Sequence, residues 1–204
     1  MSLSLFSKYL FFLFEKAITR IANKYFFGGL YLKHETLKTL TRKLTTIIDL
    51  KELADVLTTV IKENLGLDKI AILLKEPKTK AFALYKTIGF EEQNGLSLVK
   101  DNSLTQHLQK TGKPLTYEEL AFRELGKLKE NMERIHASLC LPLISQENLI
   151  GIIVLGRKVS EEAYSKEDIE LLESLSNQAS IAIENARLYE QVKDLSENLQ
   201  EKVG

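Results

Sequence analysis

No glycine or proline interrupts residues 166–203, which predicts a single long helix at the C-terminal end of the chain. Ser165 stands at the position that caps a helix N-terminus, and Asp168 follows three residues later, as in a capping box. One apolar stripe of this helix has several small side chains, which suit close packing on a sheet. Its members are Ile169, Leu172, Ala179, Ile183 and Ala186. The rest of the chain must therefore supply the sheet on which this stripe packs.

A second apolar stripe on the same helix follows the four-three spacing that is typical of a coiled-coil seam. Its residues are Ile181, Asn185, Leu188, Val192, Leu195 and Leu199. The polar Asn185 at a core position fixes the register and the number of strands in such an assembly. We therefore expect the stripe to be the interface of a parallel homodimer, with residues 191–204 as the start of a coiled-coil signalling helix. No capping signal precedes Gly204, so we expect a piece of a longer protein or a very short tail.

Residues 1–34 predict a basic, aromatic, amphipathic helix. Residues 1–51 hold nine Lys and Arg against three Asp and Glu, whereas residues 161–202 hold four against eleven. The apolar run near the N-terminus is shorter than the roughly 20 residues that a membrane span needs. Either the helix packs on its own domain or on a dimer mate, or residues 1–24 contact a membrane surface with their cations facing anionic headgroups. The net charge of the whole chain is zero, which gives no signal for a nucleic-acid partner.

The middle of the chain switches between helical and strand periodicity and predicts an α+β fold. Asp49 and Glu52 form a second capping box, at the start of a helix that ends at Gly66. We expect a helix over residues 35–48 and strands over residues 69–75, 80–88, 136–145 and 148–156. The mostly polar segment 91–134, with two short helices, is long enough to form a lid over the sheet. The predicted fold is an antiparallel sheet with long N- and C-terminal helices packed on one face and a loop and helix lid on the other.

The sequence has no pattern of residues that indicates catalysis or metal binding. Cys140 is the single cysteine, which rules out an internal disulfide and a cysteine-based zinc cluster. The three histidines, His34, His107 and His136, lack metal-ligand spacing with one another and with Cys140. No glycine-rich phosphate loop occurs. We therefore predict no catalytic residue and no metal site in this chain.

Three segments together resemble the GAF domain family. Residues 138–157, with their Pro-Leu step and Ile-Gly strand start, are similar to the central hairpin of such domains. Residues 164–189 are similar to the closing helix, and residues 44–53 to the opening helix. The resemblance covers about residues 35–190. It implies a fold similar to that of PAS domains, with a six-stranded antiparallel sheet, helices on one face and a ligand cavity under loops on the other.

Residues 24–37 resemble the stretch before the GAF domain of membrane-bound bacterial sensor histidine kinases. The matching residues are Lys24-Tyr25-Phe26-Phe27, Leu30-Tyr31 and Glu35-Thr36-Leu37. The resemblance implies a non-catalytic sensory and dimerisation domain that relays small-molecule binding or membrane-side input through the coiled coil. Any kinase or cyclase activity would reside in a module absent from this chain. It also implies a cytoplasmic location, at the inner face of the cell membrane in the parent protein.

The resemblance leaves the identity of any ligand or cofactor unknown. Members of the family bind cyclic nucleotides, bilins, haem or other small molecules, and many have no known ligand. This sequence lacks the Asn-Lys-Phe-Asp-Glu signature of the cyclic-nucleotide members. Cys140 lies in the hairpin strand rather than in the lid where bilins attach, so we expect no bilin. Haem ligation by His107 or His136 is disfavoured.

Side chains point alternately to the two faces of a strand, and this alternation along the predicted hairpin indicates which positions line a pocket. Leu139, Leu141 and Leu143 form one face, which suits packing under the helices, and Ser138 and Cys140 lie on the other. The resemblance to GAF domains places Ile152 and Val154 beside them, so the pocket candidates are Ser138, Cys140, Ile152, Val154, His107 and Phe122. Cys140 as a small buried hydrophobe is the alternative, in which the cavity is only a remnant. Two other functions remain open: a ligand-free structural dimerisation module, and a small GAF-type redox enzyme, which would need a reactive thiol.

Overall fold

Helices and strands follow one another in an α+β order. The computed structural model describes residues 28–90, 102–121 and 126–203. The helices are α1 (Gly28–Lys43), α2 (Leu50–Leu65), α3 (Ser103–Thr111), α4 (Tyr117–Ala121), α5 (Gly126–Arg134) and α6 (Lys166–Val203), with a short 3-10 helix at Leu44–Thr46. The strands are β1 (Ile70–Lys75), β2 (Phe82–Ile88), β3 (Leu115–Thr116), β4 (Leu139–Ser145) and β5 (Asn148–Leu155). The predicted membrane-surface segment, residues 1–24, lies outside the described residues.

The chain divides into two compact units, residues 1–36 and residues 37–204. Helix α1 begins at Gly28, earlier than the helix predicted over residues 35–48, and ends at Lys43. The early end has a local cause, because the β-branched run of residues 45–48 has low helix propensity. The Thr46 hydroxyl also donates a hydrogen bond to the Lys43 carbonyl at 2.7 Å, so this carbonyl has a partner although the helix ends here.

The predicted caps of α2 and α6 are confirmed. The Asp49 carboxylate accepts a hydrogen bond from the Glu52 amide at 2.7 Å, and α2 ends at Gly66 with φ +61°. A left-handed backbone conformation at this position favours glycine, because glycine has no Cβ atom that would clash. At α6 the capping box is reciprocal: the Asp168 amide donates to Ser165 Oγ at 3.1 Å, and the Ser165 amide donates to Asp168 Oδ2 at 2.9 Å. Each such cap contributes about 1 kcal/mol.

The five strands of the described residues form one antiparallel sheet in the order β2-β1-β5-β4-β3. The register places Cys140 of β4 opposite Val154 of β5 and opposite Leu115 of β3. The family resemblance implied six strands, and residues 91–101 lie outside the described residues. Strand β3 was not predicted, because two residues are too few to show an alternating pattern.

The core consists of two hydrophobic clusters, one on each face of the sheet. Leu139, Leu141 and Leu143 of β4 are fully buried in the first cluster. Helices α1, α2 and α6 cover this face through Leu37, Leu40, Leu53, Leu57, Ile61, Leu172, Leu175, Ala179 and Ile183. Each fully buried leucine contributes roughly 1.5–3 kcal/mol. The opposite face is covered by the lid helices, which confirms the predicted α+β arrangement.

Candidate functional site

The lid-side core contains three of the predicted pocket residues. Cys140, Ile152 and Val154 are fully buried and belong to the second hydrophobic cluster. Helices α3 and α5 supply the opposing side chains, which include Leu104, Leu108, Leu128 and Met132. Burial raises the pKa of the Cys140 thiol to about 12, so the thiol is protonated near neutral pH and is a weak nucleophile. These three residues form the floor under the lid, and none of them lines the pockets described next.

Ser138, a fourth candidate, lines an open pocket of about 430 Å³ at one end of the sheet. The pocket is lined by Lys69, Tyr117, Glu133, His136, Ala137, Ser138 and Arg157. The strand ends bring these residues together. The Ser138 amide donates to the Leu155 carbonyl at 2.8 Å, and the Asp68 amide donates to the Arg157 carbonyl at 2.9 Å. Residues just before β1 and β4 therefore lie beside the end of β5.

The conformation of His136 follows from the way helix α5 ends. His136 has φ +49°, in the left-handed region. Its amide donates to the Glu133 carbonyl at 2.9 Å, and the Ala137 amide donates to the Met132 carbonyl at 2.9 Å. This pair of bonds is the Schellman motif, with histidine at the position that glycine usually occupies. The motif turns the chain from α5 into β4 and sets His136 at the rim of the pocket that Ser138 lines.

The acidic group of this pocket is already engaged. The Tyr117 hydroxyl donates to Glu133 Oε1 at 2.6 Å, and this hydrogen bond raises the pKa of the Tyr117 hydroxyl. Lys129 lies 3.9 Å from the same carboxylate oxygen. The Arg157 guanidinium, in contrast, makes no ion pair within the described part of the chain. The Lys69 ammonium lies 5.1 Å from the centre of the Phe90 ring.

His107 lines a different pocket, on the lid. This pocket measures about 450 Å³ and is lined by Ser103, Gln106, His107, Lys110, Gly126, Lys127 and Leu128. The Asn131 amide donates to Ser103 Oγ at 2.8 Å and joins α3 to α5 beneath it. The structure therefore does not bring His107 and Ser138 to one pocket. Phe122, the sixth candidate, lies outside the described residues.

The residues of the predicted dimer stripe are exposed on α6. The Leu188 side chain is 54% exposed and that of Val192 is 65% exposed. Ile181, Asn185 and Leu195 are also exposed, and the side chain of Leu199 lies outside the described residues. The other stripe of the same helix is buried as far as Ala186. Helix α6 thus has one apolar face within the domain core and a second that faces outward.

A buried polar cluster, which we did not predict, fixes the start of α6 to the end of β5. Lys158 Nζ lies 2.5 Å from Asp168 Oδ2, and both side chains are nearly buried. The Tyr164 hydroxyl donates to the Gly156 carbonyl at 2.6 Å. Burial, together with the nearby Asp68 and Asp168 carboxylates, raises the pKa of Tyr164 above its ordinary value. We call Gly156, Lys158, Tyr164 and Asp168 the α6 anchor. The sequence indicated Asp168 as part of a capping box, but it did not indicate the pairing with Lys158.

Two negative observations apply to the described residues alone. None of their helices has the length and apolar character to cross a membrane. In the same ranges, no three His, Cys, Asp or Glu side chains are grouped so that they could hold a metal ion.

The comparisons with known proteins agree with this architecture. A model of the GAF domain family matches residues 49–183. The GAF domain of a phosphoenolpyruvate-protein phosphotransferase (ptsP) from Coxiella burnetii has a TM-score of 0.62 at 16% identity, covering 79% of this chain and 98% of that one. Formate hydrogenlyase transcriptional activator FhlA from Escherichia coli (strain K12) is 22% identical over 175 residues, which is 78% of this chain and 24% of that protein. Hybrid signal transduction histidine kinase G from Dictyostelium discoideum is 38% identical over 58 residues, which is 28% of this chain and 2% of that protein. This chain thus spans a quarter or less of these two relatives.

Proposed function

We propose that this chain, which belongs to the GAF domain family, is a non-catalytic sensory and dimerisation domain of a bacterial signal-transduction protein. Domains of this family are typically regulatory sensory modules of signalling proteins. In our proposal, binding of a small molecule or an input from the membrane side changes the packing of α6. A coiled coil formed by α6 and its copy in a second subunit passes that change to an output module. We propose a sensor histidine kinase as the parent protein, with this domain at the inner face of the cell membrane.

The observation that carries the proposal is the pair of apolar faces on α6. The inner face ends at Ala186, where the helix leaves the domain core. Leu188, Val192 and Leu195 of the outer face continue beyond that point and are all exposed. Exposed large apolar side chains at four-three spacing are stabilised by burial against a second helix with the same pattern. A parallel second copy of this chain supplies that helix.

A relay through α6 needs two arrangements of similar free energy that differ in how the helix packs. Ala179, Ala182 and Ala186 are fully buried where α6 crosses the sheet. Small side chains allow a helix to slide or rotate by a small step without leaving a large cavity. The α6 anchor joins the start of the helix to the end of β5, so a shift of that strand end is transmitted to the helix.

Sedimentation velocity of the full chain tests the dimer. We expect a dimer at micromolar concentration and a monomer for Val192→Glu, because the new carboxylate faces its copy across the apolar seam. Gln191→Glu is the matched control, since it adds the same charge to the neighbouring exposed position and should leave the dimer intact. Far-UV circular dichroism confirms that both variants are folded. A monomeric wild-type chain, or a Val192→Glu variant that stays dimeric, contradicts the proposal.

A ligand-free structural dimerisation module is the second candidate, and one observation favours it. Cys140, Ile152 and Val154 are fully buried and, among the described residues, lie in one hydrophobic cluster with side chains of α3 and α5. Native mass spectrometry of freshly purified protein separates the two candidates, since it reports the oligomeric state and any retained small molecule together. A retained molecule supports the sensory role.

A further inference from the structure

We propose that the pocket lined by Ser138 binds a small oxyanion, the phosphate or carboxylate group of a metabolite, through Arg157 and Lys69. This inference names the ligand class for the sensory role proposed above and rests on that role. It assigns ligand binding to the end of the sheet, beside the buried cluster that contains Cys140.

The volume and position of the pocket suit a small ligand. Sites for small molecules commonly measure about 300–1,000 Å³, and this pocket measures about 430 Å³. Its described lining comes from the ends of three neighbouring strands and from α4 and α5, so the sheet register fixes where the backbone of the strand-end residues lies.

The charges that face the pocket favour an anion. Arg157 and Lys69 supply two cations, and Glu133 supplies the single carboxylate of the described lining. Glu133 accepts a hydrogen bond from Tyr117 and lies 3.9 Å from Lys129, which is outside the lining. The Asp68 carboxylate lies 4.0 Å from Lys69, which is the limit of an ion pair and leaves the ammonium able to contact a ligand. Two cations of the described lining therefore face one carboxylate, and Asp68 lies beside Lys69 outside the lining.

The chemistry of the donors suits an oxyanion. A guanidinium presents a planar fork of N–H groups that matches two oxygens of a phosphate or carboxylate. Arg157 is exposed and has no ion pair among the described residues, so binding breaks no existing salt bridge. The Ser138 hydroxyl makes no hydrogen bond within the same described ranges and adds a neutral donor. The Lys69 ammonium lies 5.1 Å from the centre of the Phe90 ring, a distance that allows a cation–π contact.

Thermal unfolding of the full chain with increasing sodium phosphate, and separately with sodium acetate, tests the proposal. Sodium chloride keeps the ionic strength constant, because exposed cations also respond to general screening. We expect a saturable rise in the midpoint for the wild-type chain. Arg157→Gln should weaken the apparent affinity at least about tenfold, since it removes the bidentate charged donor. Lys78→Gln, in the turn between β1 and β2, is the matched control and should bind as the wild type does.

Two outcomes overturn the anion site: a midpoint that rises without saturation, or a saturable rise that is the same in Arg157→Gln. A stronger effect of phosphate than of acetate identifies a phosphate-bearing ligand, and the reverse identifies a carboxylate. Sedimentation velocity in the same buffers keeps the two proposals separate. Binding by a monomeric chain contradicts the dimer alone, whereas a dimer without saturable binding contradicts the anion site alone.

Discussion

Replacing Lys158 with methionine removes the cation that faces Asp168 in the α6 anchor, and we expect a large loss of stability. The Lys158 and Asp168 side chains are 12% and 5% exposed, and their charged atoms lie 2.5 Å apart. Methionine keeps most of the unbranched stem that packs beside the Tyr164 ring, from whose centre Lys158 Nζ lies 5.5 Å. The substitution therefore leaves a buried carboxylate without the Lys158 cation, while the Ser165 amide still donates to the same oxygen.

The expected magnitude follows from the burial of the pair. Removing one partner of a buried ion pair costs about 3–5 kcal/mol, because the other charge is left without compensation. The pair retains a little solvent contact, so we expect the lower end of that range, about 3 kcal/mol. Changing both partners, as in Lys158→Met with Asp168→Asn, should cost less than the sum of the single variants, because no uncompensated charge then remains.

Urea unfolding followed by far-UV circular dichroism, at one fixed protein concentration, measures this cost. With a denaturant slope of about 1–3 kcal/mol per molar urea, a loss of about 3 kcal/mol lowers the midpoint by at least about 1 M. The pair Lys166 and Glu170 is the matched control, since it lies in the first turns of the same helix but is 85% and 65% exposed. Lys166→Met should cost no more than about 0.5 kcal/mol. Equal midpoints for Lys158→Met and Lys166→Met would refute the reasoning.

Two further tests concern the sheet: the first examines the buried Cys140, and the second examines the close approach of β5 to β1. Cys140 should resist a thiol reagent at pH 8 in the folded chain and react after unfolding in urea, because burial raises the pKa of its thiol to about 12. Because the pKa of this thiol is higher in the folded state, its ionisation leaves the free energy of unfolding unaffected below about pH 9. Between about pH 9 and pH 12 that free energy falls by up to about 1.4 kcal/mol per pH unit. Urea titrations of Cys140→Ala should show a smaller slope. Gly151→Ala should destabilise the chain by about 1–3 kcal/mol, because an added Cβ would lie 2.7 Å from the Leu73 carbonyl oxygen. Gly126→Ala is the control, because no atom lies within 4 Å of a Cβ added there, and it should change stability by less than about 1 kcal/mol. Equal urea midpoints for Gly151→Ala and Gly126→Ala would contradict the close approach of β5 to β1.

Features that depend on neighbouring residues were predictable from the sequence. The caps at Asp49, Gly66 and Ser165 each involve side chains within four residues of the helix end, so their spacing is visible in the chain. The two faces of β4 were predictable for the same reason, because alternation is a property of every strand. Alternation does not reveal how much space lies under the lid, however. Whether Cys140 borders a cavity depends on the side chains that the lid places above it, and among the described residues Cys140 is fully buried in one cluster with side chains of α3 and α5.

The groups around the candidate pocket are far apart in the sequence. Lys69 and Arg157 become neighbours because β1 pairs with β5 in antiparallel register, from Ile70 opposite Leu155 onward. That register follows from long-range packing and has no local sequence signal. His136 occupies a position where glycine is usual, so the turn after α5 also lacked its common marker. Only Ser138, selected by alternation along β4, was identified in advance.

The pocket and the α6 anchor share one short piece of backbone, residues 156–158, which gives the proposed ligand site a direct route to the helix. Gly156 lies so close to Lys69 that an added Cβ would be 2.5 Å from Lys69 Cγ. The Gly156 amide donates to the Lys69 carbonyl at 2.9 Å, and its carbonyl accepts the Tyr164 hydroxyl on the other side. An anion that draws Arg157 and Lys69 together therefore acts on the residue that holds Tyr164. Because Lys158 follows Arg157 directly and pairs with Asp168, the same displacement would reach the first turn of α6, so the proposed ligand would be coupled to the helix through the end of one strand.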